Sequence, residues 1–353
     1  MVKMDDLLTE AVRQQASDLH ITVGVPPIIR VNGNLNRISE AALTFAETEQ
    51  LLEEIVSSPE MLQKFQNTGE LDFSYAIRGI SRFRINAFRQ RGSVAIAARV
   101  VTEKIPTLDQ LGLPEILKTF CRKPRGLLLV TGPTGSGKST TLAAMIDLIN
   151  HERSCHIITL EDPIEYLHKH KLSVINQREV HSDTQSFANG LRSALREDPD
   201  VILVGEMRDI ETMSIAVRAA ETGHLVLATL HTGDSAQTID RIIDVYPPFQ
   251  QQQIRLQLSL TLQGIVAQQL LPRKDGRGRV AVVEILTVSP AVRNLIREGK
   301  THQIISCLQT GGKLGMQSMD TALRDACRSG LISREEALSH TLDAEGLMRL
   351  LNG

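Results

Sequence analysis

Short apolar runs alternate with amphipathic segments through the middle of the chain. Four of these runs have the length of β-strands, and they begin at Gly126, Cys155, Asp200 and Leu225. Each run is followed by a helical pattern or a turn, which is typical of a parallel β-sheet covered by helices. Beyond residue 247 the pattern becomes mainly helical, with one further predicted strand at 279–286. We therefore predict an α/β fold with a parallel sheet.

The N-terminal part of the chain has a different pattern. Residues 1–101 predict a smaller mixed α/β domain that begins with a helix over 5–15 and ends in paired strands. The stretch 102–114 contains two prolines and a glycine and predicts a linker, because these residues interrupt regular structure. A chain of 353 residues is long enough for two domains that each bury a core, and we place the second domain at 115–353.

Composition and charge narrow the class of protein. The formal net charge of −2 gives no sign of a nucleic-acid-binding surface, so we expect no direct nucleic-acid partner. The chain starts without the features of a signal peptide, and no apolar run approaches the ~20 residues that span a bilayer. The four cysteines form no CxxC pair and predict reduced thiols. We therefore predict a cytoplasmic protein without a transmembrane segment, in which any membrane association is peripheral.

A complete phosphate-binding loop follows the first of the four strands. Residues 132–139 read GPTGSGKS and match the pattern G-x-x-x-x-G-K-[ST] in full. The predicted helix after the loop would point its N-terminus and backbone N–H groups at the phosphates. We expect Lys138 to neutralise the β- and γ-phosphate oxygens, Ser139 to hold Mg²⁺ and Thr140 to lie near the α-phosphate. The predicted ATP-binding residues are Gly132, Pro133, Thr134, Gly135, Ser136, Gly137, Lys138, Ser139 and Thr140.

Three further segments narrow the choice among phosphate-loop proteins. They are ITLEDPIEY at 158–166, LREDPDVILVGEMRD at 195–209 and ETGHLVLATLHTGDSAQTIDR at 221–241. They resemble the aspartate box, the atypical Walker B box and the histidine box of the secretion and pilus ATPases. Within that superfamily, four segments are similar to those of the type IV pilus retraction ATPases, the PilT family. These segments are ASDLH (16–20), RFRIN (82–86), AVRNLIRE (291–298) and GMQSMD (315–320).

This resemblance implies a RecA-like ATPase domain preceded by a smaller PAS-like α/β domain. It also implies a homohexamer that hydrolyses ATP to power pilus retraction and twitching motility at the inner face of the cytoplasmic membrane. Its implied partner is an inner-membrane pilus platform protein, with paralogous pilus ATPases as further candidates. Extension ATPases of these systems typically carry a four-cysteine zinc insertion and an additional N-terminal domain, and this sequence has neither.

Other functions remain open alongside pilus retraction. The accessory retraction ATPase is a paralogue that shares the same ATPase boxes. A type II or type IV secretion ATPase shares the phosphate loop and the RecA-like core. A non-catalytic, ATP-dependent scaffold is the alternative outside the enzyme class.

Acidic residues follow two of the predicted strands. Glu206 comes at the carboxyl end of its strand, and we expect it to polarise the attacking water. A helix-capping role is the alternative. Glu161, Asp162 and Glu165 follow the preceding apolar run and would repel one another without a cation nearby. Resemblance and electrostatics together favour Glu161 and Glu165 for positioning Mg²⁺ or water, with Glu161 the metal ligand; pairing with arginines of a neighbouring subunit is the alternative.

Two histidines flank the fourth predicted strand. His224 and His231 are seven residues apart, so strand alternation places them on opposite faces. We expect His231, at the carboxyl end, to contact the γ-phosphate. We expect His224 to order the box together with Glu221, and a purely structural role for His224 is the alternative.

Six arginines cluster within 22 residues of the N-terminal domain. The alternation in RFRINAF puts Arg82 and Arg84 on one face and apolar side chains on the other, which predicts a half-buried strand. The resemblance implies that this domain supplies arginines in trans to the ATP of a neighbouring subunit, and Arg84 and Arg99 match those positions best. A solvated strand face is the alternative. Arg208 and Arg241 are weaker candidates for phosphate contact.

Overall fold

The chain forms two compact units, each with its own sheet and its own hydrophobic core. The computed structural model describes residues 3–31, 33–56, 58–101, 104–341 and 343–352. Unit 1 comprises Met1–Lys104 and Pro163–Leu167. Unit 2 comprises Ile105–Asp162 and His168–Gly353.

Unit 1 is built on an antiparallel sheet. Its elements in chain order are α1 (Met4–Arg13), β1 (Asp18–Ile21), β2 (Ile28–Val31), β3 (Asn34–Arg37), α2 (Phe45–Ile55), α3 (Pro59–Thr68), β4 (Glu70–Ile77), β5 (Ser81–Gln90) and β6 (Ser93–Val101). The six strands have the order β3-β2-β1-β6-β5-β4, and every neighbouring pair is antiparallel.

One face of β5 packs into the core of unit 1. Phe83, Ile85 and Ala87 are buried, whereas Arg84 between them is exposed. The alternation predicted for this segment is confirmed. Helix α1 is amphipathic and contributes Met4 to the same core. The core-facing side chains of β5 therefore leave Arg84 on the opposite, solvent-facing side of the sheet.

Unit 2 combines a larger sheet with helices. Its elements are α4 (Ile116–Cys121), β7 (Gly126–Thr131), α5 (Lys138–Glu152), β8 (His156–Glu161), β9 (Val174–Glu179), α6 (Phe187–Ala194), β10 (Val201–Val204), α7 (Ile210–Glu221), β11 (Leu225–Leu230), α8 (Ser235–Asp244), α9 (Pro248–Thr261), β12 (Leu262–Pro272), β13 (Arg279–Thr287), α10 (Pro290–Glu298), α11 (Ile304–Thr310), α12 (Met319–Arg328), α13 (Arg334–Ser339) and α14 (Ala344–Asn352). Two short 3₁₀ helices lie at Thr301–Gln303 and Gly312–Leu314.

The sheet of unit 2 is almost entirely parallel. Its order is β13-β12-β7-β11-β10-β8-β9, and only the pairing of β13 with β12 is antiparallel within the described residues. Every residue of β7, β10 and β11 is buried. Strands covered by helices on both faces have this continuous apolar character. The predicted α/β fold with a parallel sheet is confirmed.

Two strands of this sheet were not predicted. The expectation of one strand beyond residue 247 is wrong, because β12 adds an eleven-residue strand before β13. Its sequence, LQGIVAQQLLP, is rich in leucine, alanine and glutamine, which favour helices in isolation. Pairing with β7 on one side and β13 on the other overrides that preference. The edge strand β9 carries no apolar pattern that predicts a strand, because four of its six residues are polar.

The segment predicted as a linker contributes to the packing of unit 2. Leu108 and Leu113 are buried within one of its core clusters. By its contacts the chain joins unit 2 from Ile105 onward. Among the described residues, no helix has both the length and the apolar character that crossing a membrane requires.

Candidate active site

The predicted site residues of unit 2 lie at one edge of its sheet. Strands β7, β8, β10 and β11 run parallel, so their carboxyl ends meet at the same edge. The phosphate loop follows β7, Glu161 ends β8, Glu206 follows β10 and His231 follows β11. Ligands of open α/β sheets bind outside this carboxyl edge. The fold thus brings together boxes that are far apart in the sequence.

The phosphate loop bends sharply between β7 and α5. Gly132, Gly135 and Gly137 have φ angles of 139°, 81° and 89°, which residues with a side chain rarely adopt. Lys138 is only 9% exposed, and its Nζ donates hydrogen bonds to the carbonyl oxygens of Gly132 at 2.8 Å and Pro133 at 3.0 Å. Burial lowers the pKa of Lys138 below its ordinary value. The loop therefore holds a buried ammonium group at a helix N-terminus, an arrangement suited to phosphate.

A glutamine of β12 forms hydrogen bonds with the phosphate loop and with α5, the helix that follows the loop. Gln268 is buried, and its Nε2 donates a hydrogen bond to the carbonyl oxygen of Ser136 at 2.7 Å. Its Oε1 accepts a hydrogen bond from Oγ1 of Thr141 at 2.8 Å. No sequence motif marks this residue. Recognising 262–272 as a strand beside β7 would have placed it near the loop.

The predicted Mg²⁺ ligands provide hard oxygen donors. Ser139 is exposed in the first turn of α5, with Thr140 half-buried beside it. Glu161 accepts hydrogen bonds on Oε1 from Oγ1 of Thr159 at 2.6 Å and from Nε2 of Gln177 at 3.0 Å. The described residues contain no cluster of three or more histidine, cysteine or acidic side chains that could hold a metal by themselves. Hydroxyl and carboxylate oxygens nevertheless fit Mg²⁺ that arrives with a nucleotide, which keeps phosphate oxygens and water as ligands.

Two side chains contact the carboxylate of Glu206. Its Oε1 lies 2.6 Å from Nε of Arg208 and 3.0 Å from Nε2 of His231. Burial acts to raise the pKa of Glu206, but the hydrogen bond and charge of Arg208, together with the contact to His231, outweigh it, so the pKa lies below its ordinary value. At neutral pH Glu206 is therefore an ionised hydrogen-bond acceptor.

A cavity of about 630 Å³ opens beside Glu206 and His231. Its volume is in the range of small-molecule sites. Arg208 and Arg241, the weaker predicted candidates for phosphate contact, also line it, together with Asp240 of α8. These side chains therefore share one cavity with the predicted catalytic glutamate.

The second histidine has a different environment. His224 contacts the carbonyl oxygen of Ala219 through Nδ1 at 2.9 Å, and its backbone N–H donates to the same carbonyl at 3.1 Å. Glu221 instead accepts a hydrogen bond from Gln257 at 3.0 Å. The structure thus places His224 at the C-terminal end of α7, and it gives Glu221 and His224 separate partners.

The two predicted arginines of unit 1 face each other across β5 and β6. Arg84 is the register partner of Arg99. Nε of Arg99 lies 2.9 Å from Oδ1 of Asp18, and Arg84 approaches Oε1 of Glu165 at 3.9 Å. Like charges directly opposite one another destabilise a sheet, and the two carboxylates offset this repulsion. By its contacts Glu165 belongs to unit 1 and Glu161 to unit 2, so the two predicted carboxylates lie in different units.

The fold and the site define a phosphate-loop nucleotide-binding protein of the secretion ATPase class. Residues 2–339 match the family described as "Type II/IV secretion system protein". The chain belongs to this family.

Individual relatives refine the comparison. The chain is 50% identical to the type IV pilus retraction ATPase PilT of Pseudomonas aeruginosa over 332 residues, which cover 94% of this chain and 96% of that protein. It is 43% identical to the type IV pilus ATPase PilU of the same organism, over 99% of this chain and 91% of that one. A crystal structure of the pilus retraction motor PilT with bound ADP matches with a TM-score of 0.90 at 49% identity, and covers 99% of this chain and 100% of that chain. The predicted RecA-like fold is confirmed.

Proposed function

We propose that this protein is an ATP-hydrolysing motor that powers type IV pilus retraction. The observation that carries the proposal is the 50% identity to a pilus retraction ATPase, which spans 94% of this chain and 96% of that relative. A match of this extent includes both units. It therefore goes well beyond the phosphate loop, which many unrelated nucleotide-binding proteins share.

Nucleotide binding would rest on the loop between β7 and α5. The N-terminus of α5 and the loop N–H groups attract the phosphates, and Lys138 exchanges its carbonyl partners for β- and γ-phosphate oxygens. Ser139 and Glu161 would hold Mg²⁺. When bound, this cation neutralises charge on the phosphates.

Hydrolysis would use the ionised Glu206. Its carboxylate accepts a hydrogen bond from the attacking water and orients it toward the γ-phosphate. His231, 3.0 Å from the same carboxylate, is placed to contact the γ-phosphate and to report its presence to Glu206. Replacing Glu206 by glutamine keeps the shape of the side chain but removes its charge. Turnover should then stop while ATP binding persists.

Arginines supplied in trans would complete the site. We propose a homohexamer in which Arg84 and Arg99 of the N-terminal domain (1–101) reach the ATP bound by the ATPase domain (115–353) of a neighbouring subunit. Two cations opposite one another on an exposed sheet face favour an anionic partner. Hydrolysis would then move one domain against the other. Specific activity should fall on dilution as rings dissociate, and concentration-independent activity of a monomer would contradict this arrangement.

The motor would act in the cytoplasm, at the inner face of the cytoplasmic membrane, on an inner-membrane pilus platform protein. The direct test is deletion of the gene in cells with fluorescently labelled pili. We expect abundant pili that extend and do not retract. The wild-type gene should restore retraction and the Glu206→Gln variant should not. Loss of pili on deletion, or unchanged retraction, would refute the proposal.

The accessory retraction ATPase is the second candidate, because a second type IV pilus ATPase, PilU, is 43% identical over 99% of this chain. The higher identity to PilT favours the main motor. Expression in a strain that lacks both retraction ATPases separates the two functions. A main motor restores retraction by itself, whereas an accessory one requires its paralogue.

A further inference from the structure

We propose that Gln268 is a positioning residue that holds the phosphate loop in its nucleotide-binding conformation. It lies on β12, 132 residues after Ser136, and is only 2% exposed. Through one amide it contacts both the loop and α5, the helix that follows the loop. The inference rests on the proposed function in one respect, namely that this loop binds nucleotide.

The loop has a buried carbonyl group that requires a donor. To present N–H groups to the phosphates, a phosphate loop turns carbonyl groups away from the ligand. Ser136 is only 3% exposed, so its carbonyl oxygen has to be paired inside the protein. Nε2 of Gln268 supplies that hydrogen bond at 2.7 Å. Without this hydrogen bond, the unpaired buried carbonyl would favour rotation of the peptide plane. The N–H groups of the loop would then no longer point at the phosphates.

The chemistry of the contact selects glutamine. A carbonyl oxygen only accepts hydrogen bonds, so the NH₂ end of the Gln268 amide has to face Ser136. The other end then faces Thr141, whose hydroxyl donates to Oε1 at 2.8 Å. Thr141 thereby fixes the orientation of the amide. A glutamate in its ionised form would accept from Thr141 but could not donate to Ser136.

An irregularity in β12 brings this side chain to the loop. The register between β12 and β7 shifts between Leu262 and Gly264, which inserts one extra residue into β12. A one-residue shift inverts which side chains of a strand face a given side. As a result Gln268 faces the loop, and a Cβ atom built on Gly137 would lie 2.8 Å from its Nε2. The neighbouring Gln269 contacts the carbonyl oxygen of His340 instead, at 3.4 Å.

The test compares substitutions at Gln268 with a matched control in the purified full-length protein. Gln268→Glu and Gln268→Met keep the length of the side chain and remove the donor. Gln269→Glu makes the same chemical change one position along the strand. Thr141→Val removes only the orienting hydroxyl. Measurements are the Kd for a fluorescent ADP analogue, kcat and KM for ATP, and the thermal unfolding midpoint.

The expected signature is a change in binding with little change in kcat. Loss of the donor should raise Kd and KM about 10- to 100-fold, because the loop contacts the phosphates equally in the ground state and the transition state. For Gln268→Glu the loss should shrink as the pH is lowered, since a protonated carboxyl can donate to Ser136. Gln269→Glu should bind like the wild type, and Thr141→Val should raise KM by a smaller factor.

A purely structural role predicts a different result. Folded Gln268 variants with wild-type Kd and KM, and only a lower unfolding midpoint or a lower kcat, would overturn the proposal. If both Gln268 variants fail to fold, an unchanged KM in Thr141→Val would overturn it. Binding without turnover in the wild type would refute the ATPase function and leave the Kd comparison valid.

Discussion

Replacing Arg84 by alanine should lower the rate of ATP hydrolysis strongly and leave the stability of the protein almost unchanged. The side chain of Arg84 is 46% exposed, and its approach to Glu165 is long, at 3.9 Å. Exposed ion pairs of this kind contribute about 0–1 kcal/mol. The substitution also removes the repulsion between Arg84 and its cross-strand partner Arg99. We therefore expect the free energy of unfolding to change by less than about 1 kcal/mol.

The expected effect on hydrolysis is much larger. If Arg84 stabilises the transition state in a neighbouring subunit, its loss should lower kcat on the order of 10³-fold, as loss of an arginine finger does. This factor corresponds to about 4 kcal/mol of transition-state stabilisation. ATP affinity should stay close to that of the wild type, because the phosphate loop of the same subunit is unchanged. Arg78→Ala is the matched control and should keep full activity, because Arg78 is an exposed arginine of the same domain that lies in the turn between β4 and β5.

Mixing two inactive variants tests whether Arg84 acts in trans. Subunits with Arg84→Ala retain an intact loop and Glu206, whereas subunits with Glu206→Gln retain an intact Arg84. Mixed rings therefore contain some interfaces in which both halves are functional, and activity should partly return. Subunit exchange is verified with two fluorescent labels. If the rings mix and activity stays at the level of the separate variants, the assignment of Arg84 in trans is wrong.

Three further predictions concern unit 2. Lys138→Ala should abolish nucleotide binding in an ADP titration, because it removes the buried cation; wild-type affinity would contradict the site. Arg208→Gln removes a hydrogen bond that lowers the pKa of Glu206, so burial should then raise that pKa. The acid limb of the pH profile of kcat should therefore move to higher pH. An unchanged acid limb would exclude Glu206 as the titrating group. Gly132→Ala should lower the unfolding midpoint more than Gly135→Ala, because a Cβ atom at Gly135 meets no atom within 4 Å; equal effects would contradict the packing.

Much of this fold could be predicted from the sequence. The strands β7, β8, β10 and β11 are short apolar runs buried on both faces, and such runs stand out against the helices between them. The alternation in β5 was also visible, because one of its faces is buried and the other is not. Strand β12 was not visible. Its residues favour a helix locally, and only the pairing with β7 and β13 makes it a strand.

In the candidate site, too, some features could be predicted from the sequence and others could not. Lys138 and the glycines of the loop belong to a motif whose spacing follows from phosphate geometry, so they could be found by spacing alone. Glu206 and His231 belong to separate sequence boxes, and the parallel strands bring their side chains within 3.0 Å of each other. The position of Glu165 in the sequence suggests that it acts together with Glu161, but its contacts place it in unit 1 beside Arg84. Proximity along the chain is a poor guide where the chain passes from one unit to the other.

The first glycine of the phosphate loop shows how the recognisable motif depends on β12, the strand that could not be predicted. Gly132 has a φ angle of 139°, which by itself favours glycine. A Cβ atom at this position would also lie 2.2 Å from the backbone oxygen of Gln268, a distance that requires either the loop or β12 to move. The motif thus requires glycine for its own backbone, and β12 adds a second, independent requirement. A change in the register of β12 would both move this oxygen and withdraw the Gln268 amide from Ser136, so the loop depends on a strand that carries no recognisable motif.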